Sequence, residues 1–228
     1  MLNKKQQNIN ELNNQIYING KLDGQEEERK RLARELHDGI GQMLTGIRLY
    51  IEQLDDLPFV TDKQRHIFED LRKLVAETLE ETRQISFNLM PSVLYDFGLE
   101  PAIRILSERV SQQSGMQINV KIGNVEKYLI EPVGIALYRI TQEALTNCMK
   151  YAGAKTIEID LQSRNNQITL SIRDDGQGFK YVEEKYEKST SISSGLRNMH
   201  IRAEQIGARL TIKSEIGEGT IIRVTVPI

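Results

Sequence analysis

The residues best suited to chemistry in this sequence are His37 and Asp38, an imidazole and a carboxylate that are neighbours in the chain. An imidazole gains and loses a proton near neutral pH, and an adjacent carboxylate can fix its tautomer. Gln42 follows Asp38 by four residues, so we predict that these two side chains project from one face of a helix. A single histidine beside apolar residues is more often a packed or solvated side chain. The pair alone therefore establishes no activity.

The stretch around these residues predicts a long amphipathic helix from Gln25 to Leu57, ended by Pro58. Gly41 lies one turn past His37. Because a helical glycine costs up to about 1 kcal/mol relative to alanine, we expect it to leave open space above the imidazole. Apolar residues recur at three- and four-residue spacing and form a seam: Ala33, Leu36, Ile40, Met43, Ile47, Tyr50, Leu54 and Leu57.

A second helix is predicted from Thr61 to the residue before Pro91, and Thr61 and Gln64 have the spacing of a capping box. Two antiparallel helices cannot bury so wide an apolar seam, so we predict a homodimeric four-helix bundle. His66 lacks the neighbouring acid and glutamine and is interpreted as an ordinary surface residue. The helix carries its own seam: Ile67, Leu71, Leu74, Thr78 and Ile85.

The segment ERKRLARELHDxxxQxL resembles the phospho-acceptor box of two-component sensor histidine kinases, in the subgroup that includes nitrate and degradative-enzyme sensors. The resemblance implies that His37 attacks the γ-phosphoryl group of ATP and that Asp38 accepts the proton of the other ring nitrogen. It also implies that Gln42 orients a water molecule for dephosphorylation of a response regulator. The alternative for Gln42 is a solvated residue with good helix propensity.

After a connector at residues 91–98, the sequence predicts an α+β domain with helices on one face of a mixed sheet. Three helices are expected, from Pro101 to about Gln113, from Pro132 to the residue before Gly153, and from Leu196 to Ile206. The expected strands are Gln117–Ile122, a hairpin of residues 157–161 and 168–172 that turns at Asn165-Asn166, Arg209–Ser214 and Thr220–Val226.

Four segments of this half resemble the ATP-binding domain shared by histidine kinases, gyrase-type ATPases, Hsp90 and mismatch-repair ATPases. The first, YRITQEALTNCMKYA, corresponds to the Asn box. The resemblance implies that Asn147 completes the shell of a Mg²⁺ ion held by the triphosphate and that Lys150 contacts a phosphate oxygen. Glu143 lies one helical turn before Asn147. Oxygen ligands suit a hard cation, and an ammonium group suits phosphate. Tyr151 stands where the subgroup most often has histidine.

The second segment, DDGQGF, resembles the box whose aspartate accepts a hydrogen bond from the adenine amino group. The resemblance assigns this role to Asp174 rather than Asp175. It also implies that Gly176 and Gly178 let the backbone approach the base. Taken alone, the segment is equally typical of a polar turn at the end of a strand.

The polar stretch Phe179–Ser194 exceeds the usual length of a connection, which indicates a lid or a disordered segment. It leads into the third segment, where helix N-terminal amides can meet phosphate. The third segment is Gly195-Leu196, and the fourth is Gly217-Glu218-Gly219-Thr220. A hairpin turn alone would explain the two glycines of the fourth segment. The residues that the two segments assign to the nucleotide are Gly195, Leu196, Gly217, Gly219 and Thr220.

Composition limits the class of protein. A chain of 228 residues with 39% hydrophobic and 27% charged residues favours one or two soluble domains. A net charge of −2 with mixed signs gives no basic face for nucleic acid. The single Cys148 excludes an internal disulfide framework and favours a reducing cytosol. No apolar run approaches the roughly 20 residues that cross a bilayer, so we expect membrane attachment only through a possible upstream sensor segment.

These observations predict three parts: a helical, coiled-coil or disordered lead-in at 1–24, a dimerisation and histidine phosphotransfer domain at 25–92, and an ATP-binding domain at 93–228. We predict the cytoplasmic portion of a sensor histidine kinase that uses ATP and Mg²⁺. It phosphorylates His37, passes the phosphoryl group to an aspartate of a response regulator, usually one with a helix-turn-helix output, and dephosphorylates that regulator. The alternatives are a stand-alone ATPase in which Glu143 activates water, and a nucleotide-regulated dimeric scaffold.

Overall fold

The computed structural model describes residues 20–54, 61–89, 92–123, 125, 129–181 and 194–228. The chain divides into two compact units, Met1–Ser92 and Val93–Ile228. The first unit is helical and the second combines helices with a five-stranded sheet, which confirms the predicted fold class. No helix within the described ranges has the length and hydropathy required to span a bilayer.

Helix α1 covers residues 20–54 and changes its hydrogen bonding along its length. It is α-helical over residues 20–34, π-helical at Glu35–Gly41 and α-helical again at Gln42–Leu54. The predicted end at Leu57 and Pro58 lies outside the described residues, as does most of the lead-in segment at 1–24.

The predicted start of this helix at Gln25 is wrong, because the chain is already helical at residue 20 and continues through Gly24. A single glycine costs a helix only about 1 kcal/mol relative to alanine. Burial of a neighbouring apolar side chain outweighs that cost, and Leu22 is buried in this turn.

Helix α2 spans Asp62–Leu89 and begins with the predicted capping box. The backbone N–H of Gln64 donates to Thr61 Oγ1 at 3.3 Å, and the backbone N–H of Thr61 donates to Gln64 Oε1 at 3.0 Å. These reciprocal bonds satisfy two N–H groups that a helix N-terminus would otherwise leave unpaired. His66 is exposed, as expected.

Within the helical unit, the described parts of α1 and α2 share a small core. Ile51 packs with Phe68 and Val75, and Ser86 Oγ donates to the Ala33 carbonyl oxygen at 3.1 Å. Apolar residues at helical spacing on a surface are typical of a face that other helices cover. Most of the predicted seam is such a surface: Ile40, Met43, Ile47, Tyr50 and Leu54 on α1, and Ile67, Leu71, Leu74 and Ile85 on α2 are exposed.

The second unit has its predicted elements in the predicted order, but the prediction of a plain connector at 91–98 is wrong, because Ser92–Phe97 forms a short helix. The sheet has strand order β1-β2-β3-β5-β4, with β1 parallel to β2 and the other pairs antiparallel. The helices are α3 (Ser92–Phe97), α4 (Leu99–Ser114), α5 (Glu131–Asn147, continued by a π-helical turn at Cys148–Ala152) and α6 (Ser194–Gln205). The strands are β1 (Gln117–Ile122), β2 (Thr156–Arg164), β3 (Gln167–Asp174), β4 (Arg209–Glu215) and β5 (Gly219–Pro227).

Local backbone chemistry determines where several of these elements end. Asn165 and Asn166 both have positive φ, 51° and 57°, which is the conformation of a two-residue hairpin turn between β2 and β3. Gly115 ends α4 with φ of 74°, a left-handed conformation that glycine adopts without a Cβ penalty. Both features were predicted.

The core of this unit lies between one face of the sheet and helices α4, α5 and α6. Side chains alternate along each strand, so every second residue of β3 and β4 is buried. The inward row is apolar at Ile172, Ile222 and Ile212, which are paired in register across β3, β5 and β4. The next inward row is polar, and it forms the candidate site.

Candidate functional site

His37 lies in the π-helical segment Glu35–Gly41 of α1. A π turn closes hydrogen bonds between residues five apart. Such turns are rare in proteins, and those that occur are often found at functional sites. Two glycines of the segment, Gly39 and Gly41, have the backbone freedom that a departure from α geometry requires. The side chains of His37 and Asp38 are exposed, and neither makes a hydrogen bond or ion pair with any residue that the structure describes.

A cavity of 330 Å³ lies beside His37 in the helical unit. His37, Gly41 and Gln42 line it from α1, and Thr82 and Arg83 line it from α2. Gly41 therefore borders the cavity beside the imidazole, and a Cβ there would lie 3.4 Å from the Leu36 carbonyl oxygen, so the expectation that this space requires a glycine stays a prediction. The cavity gives a docked group access to the histidine from solvent.

The π segment changes which side chains share a face. We predicted that Asp38 and Gln42 project together, on the assumption of an α-helical turn. In the structure, Gln42 lines the cavity with His37, five residues before it, and Asp38 does not line it. The five-residue hydrogen bonding of a π turn explains this difference.

Asp174 is the last residue of β3, and its side chain is buried with 6% exposure. Its Oδ1 accepts a hydrogen bond from the backbone N–H of Gly176 at 2.9 Å, and its Oδ2 accepts one from Cys148 Sγ at 3.6 Å. Burial, and secondarily the charge of Asp174, raises the pKa of the Cys148 thiol to about 12, so the thiol remains a donor. An ionised carboxylate has roughly four acceptor positions, so Asp174 retains capacity for a further donor.

Asp175 supports the backbone instead. Its Oδ1 accepts hydrogen bonds from the backbone N–H groups of Lys155, at 2.7 Å, and Thr156, at 2.9 Å. The Thr156 bond, followed by the Lys155 bond, holds the pKa of the Asp175 carboxyl below its usual value. Asp175 thus ties the loop after β3 to the start of β2, while Asp174 points into the core.

Asp174 belongs to a polar row across the sheet. The strand register places Asp174 opposite Thr220 on β5, and Thr220 opposite Ser214 on β4. Ser214 Oγ donates to the Gly219 carbonyl oxygen at 3.0 Å and lies 2.9 Å from Thr220 Oγ1. The backbone N–H of Phe179 also donates to Ser214 Oγ, at 2.9 Å. Ser214 therefore ties together the backbone of Phe179 and Gly219 and the side chain of Thr220 where the apolar core ends.

The glycines after Asp174 are required by the protein's own packing. A Cβ built at Gly178, where φ is +58°, would clash with the Glu215 carbonyl oxygen. A Cβ at Gly176 would lie 2.5 Å from the Ala152 carbonyl oxygen. Glycine is therefore required at both positions whether or not a base binds, and the expected approach of a base to this backbone stays a prediction. Their function in the structure is to let the chain fold tightly around Asp174.

Glu143 and Asn147 lie one turn apart on α5 and are half-buried. The π-helical turn at Cys148–Ala152 follows at once, so Lys150 does not continue the α-helical register of Asn147. Lys150 and Tyr151 are exposed. The side chains of Asn147 and Lys150 have no hydrogen-bond or ion-pair partner within the described parts of the chain.

The start of α6 meets the same helix. A Cβ at Gly195 would clash with the Glu143 carboxylate, so the two residues are in close contact. Leu196 packs against the core. The structure thereby brings the N-terminus of α6 to the part of α5 that carries Glu143 and Asn147.

The residues of the turn between β4 and β5 differ in how close they lie to Asp174. A Cβ at Gly219 would clash with the Asp174 carbonyl oxygen, and Thr220 is the cross-strand partner of Asp174. Gly217 is exposed, with φ of +89° and no atom within 4 Å of its Cβ position. Gly219 and Thr220 therefore lie beside Asp174, and Gly217 contacts the loop after Asp174 through its backbone N–H, which donates to the Gln177 carbonyl oxygen at 2.7 Å.

The predicted lid at Phe179–Ser194 falls mostly outside the described residues. Its first residues are ordered by contacts, since the rings of Phe179 and Tyr181 meet edge to face with centroids 6.1 Å apart. Tyr181 Oη lies 3.2 Å from His200 Nε2 on α6. The interpretation of His200 as a plain surface residue is wrong, because it is half-buried and contacts Tyr181 near the start of this segment.

Two domain families match the chain, each over one of the sites just described. The family described as histidine kinase matches residues 28–94, and the family described as histidine kinase-, DNA gyrase B-, and HSP90-like ATPase matches residues 133–228. The chain is 33% identical over 210 residues to the signal transduction histidine-protein kinase/phosphatase DegS of Brevibacillus brevis. It is 34% identical over 209 residues to the oxygen sensor histidine kinase NreB of Staphylococcus carnosus. Each alignment covers 91% of this chain.

Residues 28–94 thus form a histidine kinase domain, and residues 133–228 form the ATPase domain that histidine kinases share with DNA gyrase B and HSP90. The predicted resemblance, including the subgroup and the ATP-binding domain, is confirmed. The chain spans about half the length of the curated relatives it matches, 53% of DegS and 58% of NreB. The histidine kinase domain of a blue-light activated kinase from Erythrobacter litoralis has the same fold, with a TM-score of 0.52 and 15% identity over 82% of this chain and 95% of that chain.

Sequence reasoning missed three residues of the ATPase-family unit: Cys148, Gln177 and Ser214. Ser214 carried a detectable signal, since it is a polar residue at an inward position of an alternating strand. Cys148 and Gln177 carried none, because their contacts join segments that are distant in the sequence.

The residues present fit an adenine nucleotide with a divalent cation. Asp174 has spare acceptor capacity in a buried position, which suits an amino group. The side-chain oxygen of Asn147 is of the type that suits a hard cation, and the ammonium group of Lys150 is of the type that suits phosphate.

Proposed function

We propose that this chain is the kinase portion of a sensor histidine kinase that transfers the γ-phosphoryl group of ATP to His37. The observation that carries the proposal is that two complementary sites occur in one chain. One is an exposed histidine without a bonded partner beside an open cavity. The other is a buried carboxylate at the polar end of an ATPase-type core. The first site has a nucleophile but no phosphoryl donor. The second site would hold the phosphoryl donor but has no nucleophile.

In the proposed reaction, one ring nitrogen of His37 attacks the γ-phosphorus of ATP. The nitrogen–phosphorus bond forms as the bond from the γ-phosphorus to the bridging oxygen breaks, and ADP leaves. Asp38 accepts the proton on the other ring nitrogen and stabilises the positive charge that develops on the imidazole. Positioning and charge stabilisation supply most of the catalysis in phosphoryl transfer.

The ATP-binding unit holds the nucleotide by its two ends. We assign Asp174 to the adenine amino group, with Gly176, Gly178, Gly219 and Thr220 shaping its surroundings. At the other end, Asn147, Lys150 and the backbone amides of Gly195 and Leu196 act on the triphosphate, and Glu143 lies beside them. Mg²⁺, when bound, would neutralise phosphate charge and would take the Asn147 oxygen as its protein ligand. Gly217 is assigned to the turn that carries Gly219.

The second proposed activity acts on a response regulator. Phosphohistidine at position 37 passes its phosphoryl group to an aspartate of the regulator, which has a helix-turn-helix output and makes any contact with DNA. Gln42 lines the same cavity as His37, so an aspartyl phosphate docked there would meet a side-chain amide able to orient water. DegS, one of the relatives, is named a kinase/phosphatase.

The kinase acts as a homodimer in this proposal. A second hairpin would cover the exposed seam of α1 and α2 and complete a four-helix bundle. We place the chain in the cytoplasm, where ATP and response regulators are present.

A chase experiment tests the proposed function. The chain is incubated with γ-labelled ATP, separated from the nucleotide, and mixed with its cognate regulator. We expect label to move from the kinase to the regulator and then to inorganic phosphate. Release of phosphate from ATP with no labelled kinase would indicate a stand-alone ATPase, and ATP binding with no turnover would indicate a nucleotide-regulated scaffold.

A further inference from the structure

We propose that Cys148 is a positioning residue for adenine recognition. Its thiol holds the Asp174 carboxylate in the orientation that selects a purine with a 6-amino group. The inference rests on the proposed function of Asp174. Cys148 touches no substrate atom in this account and acts only through the carboxylate.

The contact between the two residues is buried and direct. Cys148 Sγ lies 3.6 Å from Asp174 Oδ2, and each residue is 6% exposed. Cys148 directly follows Asn147, the last residue of the α-helical part of α5, and it begins the π-helical turn. A hydrogen bond thus joins the end of the Asn-box helix to the end of β3.

Two further bonds join the same segments. The backbone N–H of Gln177 donates to the Ala152 carbonyl oxygen at 2.8 Å, and Gln177 Nε2 donates to the Tyr151 carbonyl oxygen at 2.5 Å. These bonds fix the backbone of the loop after Asp174. Among the bonds between the π turn and this loop, the thiol's bond alone reaches the Asp174 carboxylate within the described chain.

The two anchors of the carboxylate set its rotation. The Gly176 N–H holds Oδ1, and the Cys148 thiol holds Oδ2. A thiol is a weak donor, so Oδ2 keeps most of its capacity to accept a second bond from a ligand. Without the thiol, the carboxylate is anchored at one oxygen and can rotate about its Cβ–Cγ bond. The expected consequence is a loss of discrimination for the amino group, with little effect on the phosphate end of the site.

The test uses the whole chain and four variants. Cys148→Ala and Cys148→Val both remove the donor but differ in volume, so an effect common to both is not caused by a cavity. Cys148→Ser keeps a donor. Asp174→Asn reports on the carboxylate itself. For each protein, calorimetry gives the Kd of ATP and the Kd of purine riboside triphosphate, in which hydrogen replaces the amino group.

The measured quantity is the preference for ATP, expressed as the ratio of the two Kd values. We expect the preference to fall about fivefold in Cys148→Ala and Cys148→Val, which corresponds to one ordinary hydrogen bond. We expect Cys148→Ser to keep most of it. The affinity for purine riboside triphosphate should stay at the wild-type value in all three.

Three results would overturn the inference: a wild-type preference in both Cys148→Ala and Cys148→Val, an equal loss in Cys148→Ser, or a parallel loss of affinity for both nucleotides. The Asp174→Asn variant separates this failure from that of the proposed function. If Asp174→Asn also keeps the preference, the role of Asp174 is wrong. If it loses the preference while the Cys148 variants keep it, the role of Cys148 alone is wrong.

Discussion

Gln42 lines the same cavity as His37, although five residues separate them, because α1 is π-helical at Glu35–Gly41. In an uninterrupted α-helix, residues three or four apart share a face, and Gln42 would follow Asp38 instead. The structure therefore pairs the proposed phosphatase glutamine with the phospho-acceptor and leaves Asp38 outside the cavity. A regulator docked over His37 would meet both the imidazole and the amide.

Gln42→Ala should separate the two proposed activities. Alanine is a strong helix former and His37 is unchanged, so we expect autophosphorylation near the wild-type rate. The side-chain amide that would orient water is lost, so dephosphorylation of a phosphorylated regulator should fall at least tenfold. Gln53→Ala is the matched control, because Gln53 is an exposed glutamine on the same helix outside the cavity. Equal decay of the phosphorylated regulator with both variants would return Gln42 to the status of a solvated residue.

Asp174→Asn should weaken ATP binding by about 10- to 100-fold, the usual range for a hydrogen bond to a charged group. In asparagine an NH2 group replaces one carboxylate oxygen. This donor would face either the Gly176 N–H or the amino group of the ligand, and both of these are also donors. Asp175→Asn is the control, since the Asp175 carboxylate accepts hydrogen bonds from the backbone N–H groups of Lys155 and Thr156 and supports the backbone. A fluorescence titration with nucleotide compares the two. The same affinity in both would mean that Asp174 does not bind adenine.

Ile47→Asp should dissociate the proposed homodimer. Ile47 is 45% exposed in the single chain and central in the seam of α1, so a dimer would bury the new charge without a partner. Such burial costs several kcal/mol. Light scattering measures the mass in solution. Ile216→Asp is the control, because Ile216 is 79% exposed in a turn of the other unit, and it should remain dimeric. An intact dimer of Ile47→Asp with unchanged thermal stability would contradict the four-helix bundle.

Gly178→Ala should destabilise the ATP-binding unit by at least about 2 kcal/mol, since a left-handed conformation and a backbone clash both oppose the new Cβ. Its φ is +58°, and the Glu215 carbonyl oxygen occupies the Cβ position. Gly134→Ala is the opposite case, since Gly134 lies within α5 with no atom within 4 Å of its Cβ position. There we expect a gain of up to about 1 kcal/mol from helix propensity. Denaturant unfolding curves of both variants check the signs.

Elements with a local cause were predictable from the sequence. The capping box at Thr61 and Gln64, the turn at Asn165-Asn166 and the stop at Gly115 each depend on one to four neighbouring residues, and all three occur as predicted. Strand β1 was predicted at its observed bounds because its side chains alternate strictly.

Features that arise from tertiary packing were not predictable. The π-helical segments at Glu35–Gly41 and Cys148–Ala152 have no apolar period of their own, so an α-helical period was assumed across both. The bond from Cys148 to Asp174 joins residues 26 apart. Nothing in either local sequence indicates it. The glycines after Asp174 were recognised from a motif, but the atoms that require them belong to segments far along the chain.

The central claim is that His37 accepts the γ-phosphoryl group of ATP, and the most direct measurement is the position of the label after incubation with γ-labelled ATP. Phosphohistidine is labile to acid and stable to base, and mass spectrometry of the base-treated peptides assigns the residue. His37→Gln should bind ATP and form no such label, whereas His66→Gln, which changes an exposed histidine on α2, should label as the wild type does. Acid-labile label in His37→Gln at the wild-type level would contradict the account.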